Sequence, residues 1–143
     1  MTPENRIRDS FARQTMMQTL GARIESIAPG KVALTAPILP GSRQQQGFAH
    51  AALTFALGDT AAGYAALSVM PEDAAVLTIE FKINLLSPGR GDRFLFRGEV
   101  TKPGNTIIVS DGRAYAIADG PAKLIASMTG TMMVVRGREG IAG

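Results

Sequence analysis

Hydrophobic and polar positions along the chain change period several times, and each change marks an element. In "VLTIEFKINLL" the residues Leu77, Ile79, Phe81, Ile83 and Leu85 alternate with Thr78, Glu80, Lys82 and Asn84. That period of two predicts a strand with its apolar residues on one face and its polar ones on the other. "RFLFRGEVTK", "TIIVSDGRAYAIA" and "KLIASMTGTMMVV" read as further strands, the last with Leu124, Ala126, Met128, Met132 and Val134 alternating. "SPGRGD", "PGN" and "DGPA" separate them as turns, so the four strands are expected to form a meander. Upstream, "ARIESIAPGKVALTAPI" predicts two short strands about a Pro29-Gly30 turn. Residues 3 to 19 predict a short helix capped by Thr2, with Pro3 in its first turn and Ile7, Phe11 and Met16 or Met17 facing inward.

One segment follows neither polar pattern. "GFAHAALTFALGDTAAGYAAL" lies in a stretch from Arg43 to Glu72 whose only charged residue is Asp59. On a helical wheel Leu53, Leu57, Thr60, Tyr64 and Leu67 fall on one side, and Ala52, Phe55, Asp59, Ala62, Gly63 and Ala66 on the other. With no Lys, Arg or Glu on either side, the helix is expected to be buried nearly all round. The fold class is therefore α+β, an antiparallel sheet wrapped around a long central helix, with the leftover small-residue side favouring oligomers.

Composition narrows the chemistry. The chain has 143 residues, one domain's worth, with 45% hydrophobic and 19% charged residues, an ordinary globular balance. The last residues, 136–143, are expected to fray. The net charge of +3 comes from scattered residues with no nucleic-acid motif, so nucleic acid is not expected as a partner. Cysteine is absent and His50 is the single histidine, which excludes thiolate chemistry and most metal clusters. Residues 47–70 are too rich in Ala and Gly, with an Asp at the centre, to read as a membrane span. The start "MTPENRIRDSF" lacks the pattern of a signal peptide, and a cytoplasmic location is expected.

Asp59 has three readings from sequence: the cap of a helix restarted after Gly58, a buried structural carboxylate, or a base whose pKa is raised by apolar surroundings. Ala62, Gly63 and Ala66 leave room for a ligand beside it. His50 stands at the helix start, so the backbone N–H groups of Ala51 and Ala52 are unpaired donors able to hold a carbonyl oxygen. An amide of "QQQ" at 44 to 46 could orient water, and Arg90 within "SPGRGD" and Arg93 just after it could meet phosphates. A His–acid pair of the dehydratase type is disfavoured, since His50 and Asp59 fall on opposite sides of the wheel.

Taken together, "GFAHAALTFALGD", "TIEFKINLLSPGRGD" and "GEVTKPGN" resemble the phenylacetate-pathway (PaaI-like) family of hotdog-fold acyl-CoA thioesterases. That family reads G-x-x-H-G-G, an acid nine positions after the His, and a strand ending in S/R-P-A-x-x-G-D. Here His50 is followed nine positions on by Asp59, and Ser87-Pro88 and Gly91-Asp92 match the later elements. The likeness covers roughly residues 20 to 135. It implies a sheet of five to six strands around the helix, a homodimer or homotetramer with sites at the interface, and an acyl-CoA substrate. No cofactor is implied, because CoA is part of the substrate. Asp59 would be the general base or nucleophile, and the Ala51 N–H would polarise the thioester carbonyl. Gln44 or Gln45 would stand near a water-positioning asparagine, and Thr78 would reach the site across the dimer interface. His50, Ala52, Gly63, Arg90 and Arg93 would contact substrate. The chain departs from the pattern at Ala51-Ala52, where the family has two glycines; the alternative implied is a non-catalytic acyl-CoA-binding domain.

Overall fold

The computed structural model describes all 143 residues. Two helices, α1 (Pro3–Arg13) and α2 (Thr15–Thr19), precede the β1 (Arg23–Ala28) and β2 (Lys31–Pro37) hairpin. A single 3₁₀ turn leads to the long α3 (Ala51–Leu67), then β3 (Ala74–Leu85), β4 (Arg93–Lys102), β5 (Ile107–Ile117) and β6 (Lys123–Arg136). The expected N-terminal helix is thus broken at Gln14, whose backbone is extended and whose amide donates to the Tyr64 hydroxyl. Ile7 and Met17 are buried, whereas Met16 is exposed. Gly30 makes the hairpin turn with φ +75°, a conformation that favours glycine.

All six strands form one antiparallel sheet in the order β1-β2-β4-β5-β6-β3. This corrects the expected meander. β3 pairs with β6, not β4, so residues 86–92 are a crossover beneath the start of α3 rather than a hairpin turn. The crossover is fixed by hydrogen bonds from the Ala49 N–H to Gly89 O (3.0 Å) and from the Leu86 N–H to Ile125 O (2.8 Å).

The sheet curls around α3 because small residues let them touch. A Cβ at Gly98 would meet the Ala61 carbonyl and come within 2.6 Å of Ala62 N; one at Gly58 would fall 2.6 Å from Met128 Cε. Phe94, Phe96, Met128 and Met132 fill the space around these contacts. The helix runs unbroken through Gly58 and Asp59, which removes the stop-and-restart reading of Asp59. Enclosure is uneven. Every residue from Ala61 to Leu67 is buried, but Ala51, Ala52 and Phe55 are exposed, so the expectation of burial all round holds only for the C-terminal half.

β3 carries a second correction. Its register with β6 shifts between Thr78 and Glu80, a bulge that admits Ile79 as an extra residue. Val76, Thr78, Phe81 and Ile83 pair with Val134, Met132, Gly130 and Met128 and share the inner face. Leu77 and Ile79 are turned outward, 43% and 56% exposed. Thr78 is consequently on the helix side, not on the polar face with Glu80, Lys82 and Asn84.

Candidate active site

That bulge has a chemical result. Thr78 Oγ1 donates to Asp59 Oδ1 at 2.7 Å, also lying 3.3 Å from Met132 Sδ. The Asp59 carboxylate has no ion-pair partner, and burial against β3 pushes its pKa up while the Thr78 hydroxyl pulls it back. The result is an oriented carboxylate that stays basic. One turn further on, a Cβ at Gly63 would meet nothing within 4 Å, so the space beside Asp59 is open on that side. Thr78 reaches Asp59 within one chain, which differs from the cross-interface role that the resemblance implied.

The start of α3 is arranged differently. His50 Nδ1 accepts the Ala52 N–H at 2.9 Å, and His50 O accepts the Leu53 N–H at 3.0 Å. The Ala51 N–H has no partner in the chain. It is therefore the one free donor of the three, at the positive end of a 17-residue helix. Ala51 lines a cleft of about 520 Å³ with Gln44, Gln46, Phe48, His50 and Thr54 from its own side. Leu85, Leu86, Ser87, Pro88 and Ile125 form the other wall. Asp59 and Thr78 are not among its lining residues.

The remaining candidates divide. Gln44 lines the cleft, but its side chain closes its own loop: Oε1 accepts the N–H groups of Gln46 and Phe48. Gln45 is exposed and outside the cleft, whereas Gln46, the last residue of "QQQ", lines it. Ala52 lines a smaller cleft on the other side of His50, with Met16, Leu20 and Leu53. Arg90 stacks 4.6 Å over the Phe48 ring and lines a third cleft. Arg93 is exposed at the start of β4 and borders none of these.

A six-stranded antiparallel sheet curled about one central helix, with a carboxylate midway along the helix, defines a hotdog-fold protein. The chain matches the Thioesterase superfamily over residues 46–122, more than half its length, and belongs to that family. It is 51% identical to a thioesterase family protein from Silicibacter pomeroyi, covering 94% of this chain and 99% of that one, with a TM-score of 0.93. Two further structures share the fold at lower identity. A Haemophilus influenzae thioesterase is 21% identical over 95% of this chain and 92% of its own, TM-score 0.82. The Escherichia coli PaaI protein of the phenylacetic acid degradation operon is 21% identical over 94% of each, TM-score 0.81. Thioester hydrolysis is the class of chemistry this membership carries. No helix of the chain is long and apolar enough to cross a membrane.

Proposed function

We propose that the chain hydrolyses acyl-CoA thioesters to a free acid and CoA, in a site completed by two copies. The observation that supports this best is the Asp59–Thr78 pair, a half-buried carboxylate oriented by a hydroxyl and made more basic by burial. Water attacks the thioester carbon, and its proton passes to the free oxygen of Asp59. Negative charge growing on the carbonyl oxygen is held by the Ala51 N–H. The C–S bond then breaks and CoA leaves as the thiol. Direct attack by the carboxylate, with the resulting anhydride hydrolysed afterwards, uses the same atoms.

Ala51 and Asp59 are eight positions apart on one helix, about 12 Å along its axis. One thioester carbonyl cannot meet both within a single chain. A homodimer, alone or paired into a homotetramer, brings Asp59 of one copy beside Ala51 of the other. The unpaired edge of β3 and the exposed Leu85 and Leu86 support that association. His50 holds the helix start in place, Gly63 leaves room beside Asp59, and no cofactor takes part.

The test is a panel of acyl-CoAs assayed for thiol release with wild type and Asp59→Asn. Turnover should fall by about 10³-fold in the variant while the oligomer stays intact. Tight acyl-CoA binding by wild type with no thiol released would favour the non-catalytic binding domain, in keeping with the methyl group of Ala51 in the cleft.

A further inference from the structure

We propose that the cleft on the far side of His50, lined by Met16, Leu20, Ser42, Arg43 and Leu53, is a second binding site that takes a short amphipathic carboxylic acid in its free form. The site stands on its own residues and does not depend on the hydrolysis reading. It encloses about 310 Å³, the small end of the range for small-molecule sites, and none of these five residues lines the Ala51 cleft. Ser42 is the key residue. It is only 7% exposed, and its backbone is committed on both sides. The N–H donates to Leu39 O at 3.0 Å, and the carbonyl accepts the His50 N–H at 2.8 Å. Its hydroxyl, a wall of the cleft, has no hydrogen-bond partner in the chain. A buried hydroxyl left unpaired costs stability, so one kept at the edge of a cleft is poised for a ligand.

The other polar side chains bordering the cleft are donors. His50 Nδ1 accepts the Ala52 N–H, so the neutral ring carries its proton on Nε2, and that N–H has no partner in the chain. Arg43 spends one N–H on Gly47 O (2.8 Å) and one on Ile38 O (2.9 Å), and it forms no ion pair. No acidic residue lines the cleft, so its one full charge is positive. Three donors and an uncompensated cation select an anionic acceptor, and a carboxylate has the oxygens to take them. The rest of the cleft is apolar. Leu53 is a buried wall, and Met16 lies 54% exposed on α2, a flexible thioether able to cover an alkyl or aryl body. An acid seated here would accept from the ring whose other nitrogen holds the start of α3. That strengthens the Ala52 cap and stiffens the turn from which the Ala51 donor projects.

The experiment titrates the full chain with hexanoate, hexanol and hexylamine, by calorimetry and by NMR of the His50 ring, an unambiguous signal in a chain with one histidine. Hexanoate should bind with a Kd on the order of 1 mM and shift the His50 signal. Hexanol and hexylamine should bind at least about tenfold more weakly, because neither brings a carboxylate. Ser42→Ala should weaken hexanoate about tenfold and Met16→Ala about threefold. With no internal bond to lose, Ser42→Ala should melt no lower than wild type. Saturating CoA should leave hexanoate bound, since the two clefts lie on opposite sides of His50. Equal hexanoate binding by wild type and Ser42→Ala, an unmoved His50 signal, hexanol binding as tightly as the acid, or displacement by CoA would each overturn the proposal. So would a lower melting temperature for Ser42→Ala, which would give its hydroxyl a partner inside the chain. No thioester enters the titration, so acid binding upholds the site even where thiol release is absent.

Discussion

The two ends of the central helix are built to opposite plans. At the C-terminal end every residue from Ala61 onward is buried, and the Arg6 guanidinium closes the last turn. It donates to the carbonyls of Leu67 (2.6 Å), Met70 (3.2 Å), Pro71 (2.6 Å) and Glu72 (2.9 Å). Positive charge there complements both the orphan carbonyls and the negative end of the helix dipole. At the N-terminal end Ala51 and Ala52 are exposed, His50 satisfies the Ala52 and Leu53 N–H groups, and the Ala51 donor is left free. Asp59 stands at the boundary, half-buried. One helix therefore carries an anchor at one end and unmet bonding capacity at the other. The lesson is a division of labour: the buried half holds the unmet groups of the open half in position.

Breaking the anchor should cost stability without touching chemistry. The largest effect is expected from Gly98→Ala, whose Cβ would collide with helix backbone at Ala61 and Ala62. Overpacking against rigid backbone should cost about 3 kcal/mol or more, read from chemical denaturation. Arg6→Met follows. It removes the guanidinium from the carbonyls of Leu67, at the helix end, and of Met70, Pro71 and Glu72 just beyond it, and a loss of about 2–3 kcal/mol is expected, with kcat per folded molecule unchanged. Thr78→Val acts at the boundary and should sharpen the contrast, because it spares the fold and alters the carboxylate. The Thr78 hydroxyl favours the Asp59 anion, so its removal lets burial raise the pKa further. The acid limb of the pH–rate profile should then move to higher pH, with kcat at neutral pH down about tenfold.

Much of this was legible in the residues, and the failures have physical causes. The central helix is recognisable because a segment with Asp59 as its only charge has no solvated face. Asp59 is singled out as a candidate by the resemblance to the family pattern, an acid nine positions after the His, and Ala51 by the orphan donors of any helix start. The partner of β3 is not readable, because "SPGRGD" has the same turn chemistry whether it closes a hairpin or begins a crossover. The bulge at Ile79 is hidden as well. The alternation Leu77, Ile79, Phe81, Ile83 is unbroken and no Gly or Pro marks the extra residue. Only the register with β6 shows that Thr78 shares a face with Phe81 and Ile83, and hence that it reaches Asp59 in its own chain.

A paired measurement on Asp59→Asn, thiol release from acyl-CoA and melting temperature, examines the role of this carboxylate most directly. Burial raises the folded-state pKa of Asp59, so the folded chain holds that proton to higher pH than the unfolded chain does. Its contribution to stability therefore declines as pH rises through the carboxylate range, and at neutral pH the charge is a burden on the fold. Asparagine keeps the acceptor for Thr78 and removes the charge. Hydrolysis should be lost while the melting temperature at neutral pH rises above that of wild type, the gap closing at acid pH. Thiol release near the wild-type rate in Asp59→Asn would contradict the assignment of Asp59 as the reacting carboxylate.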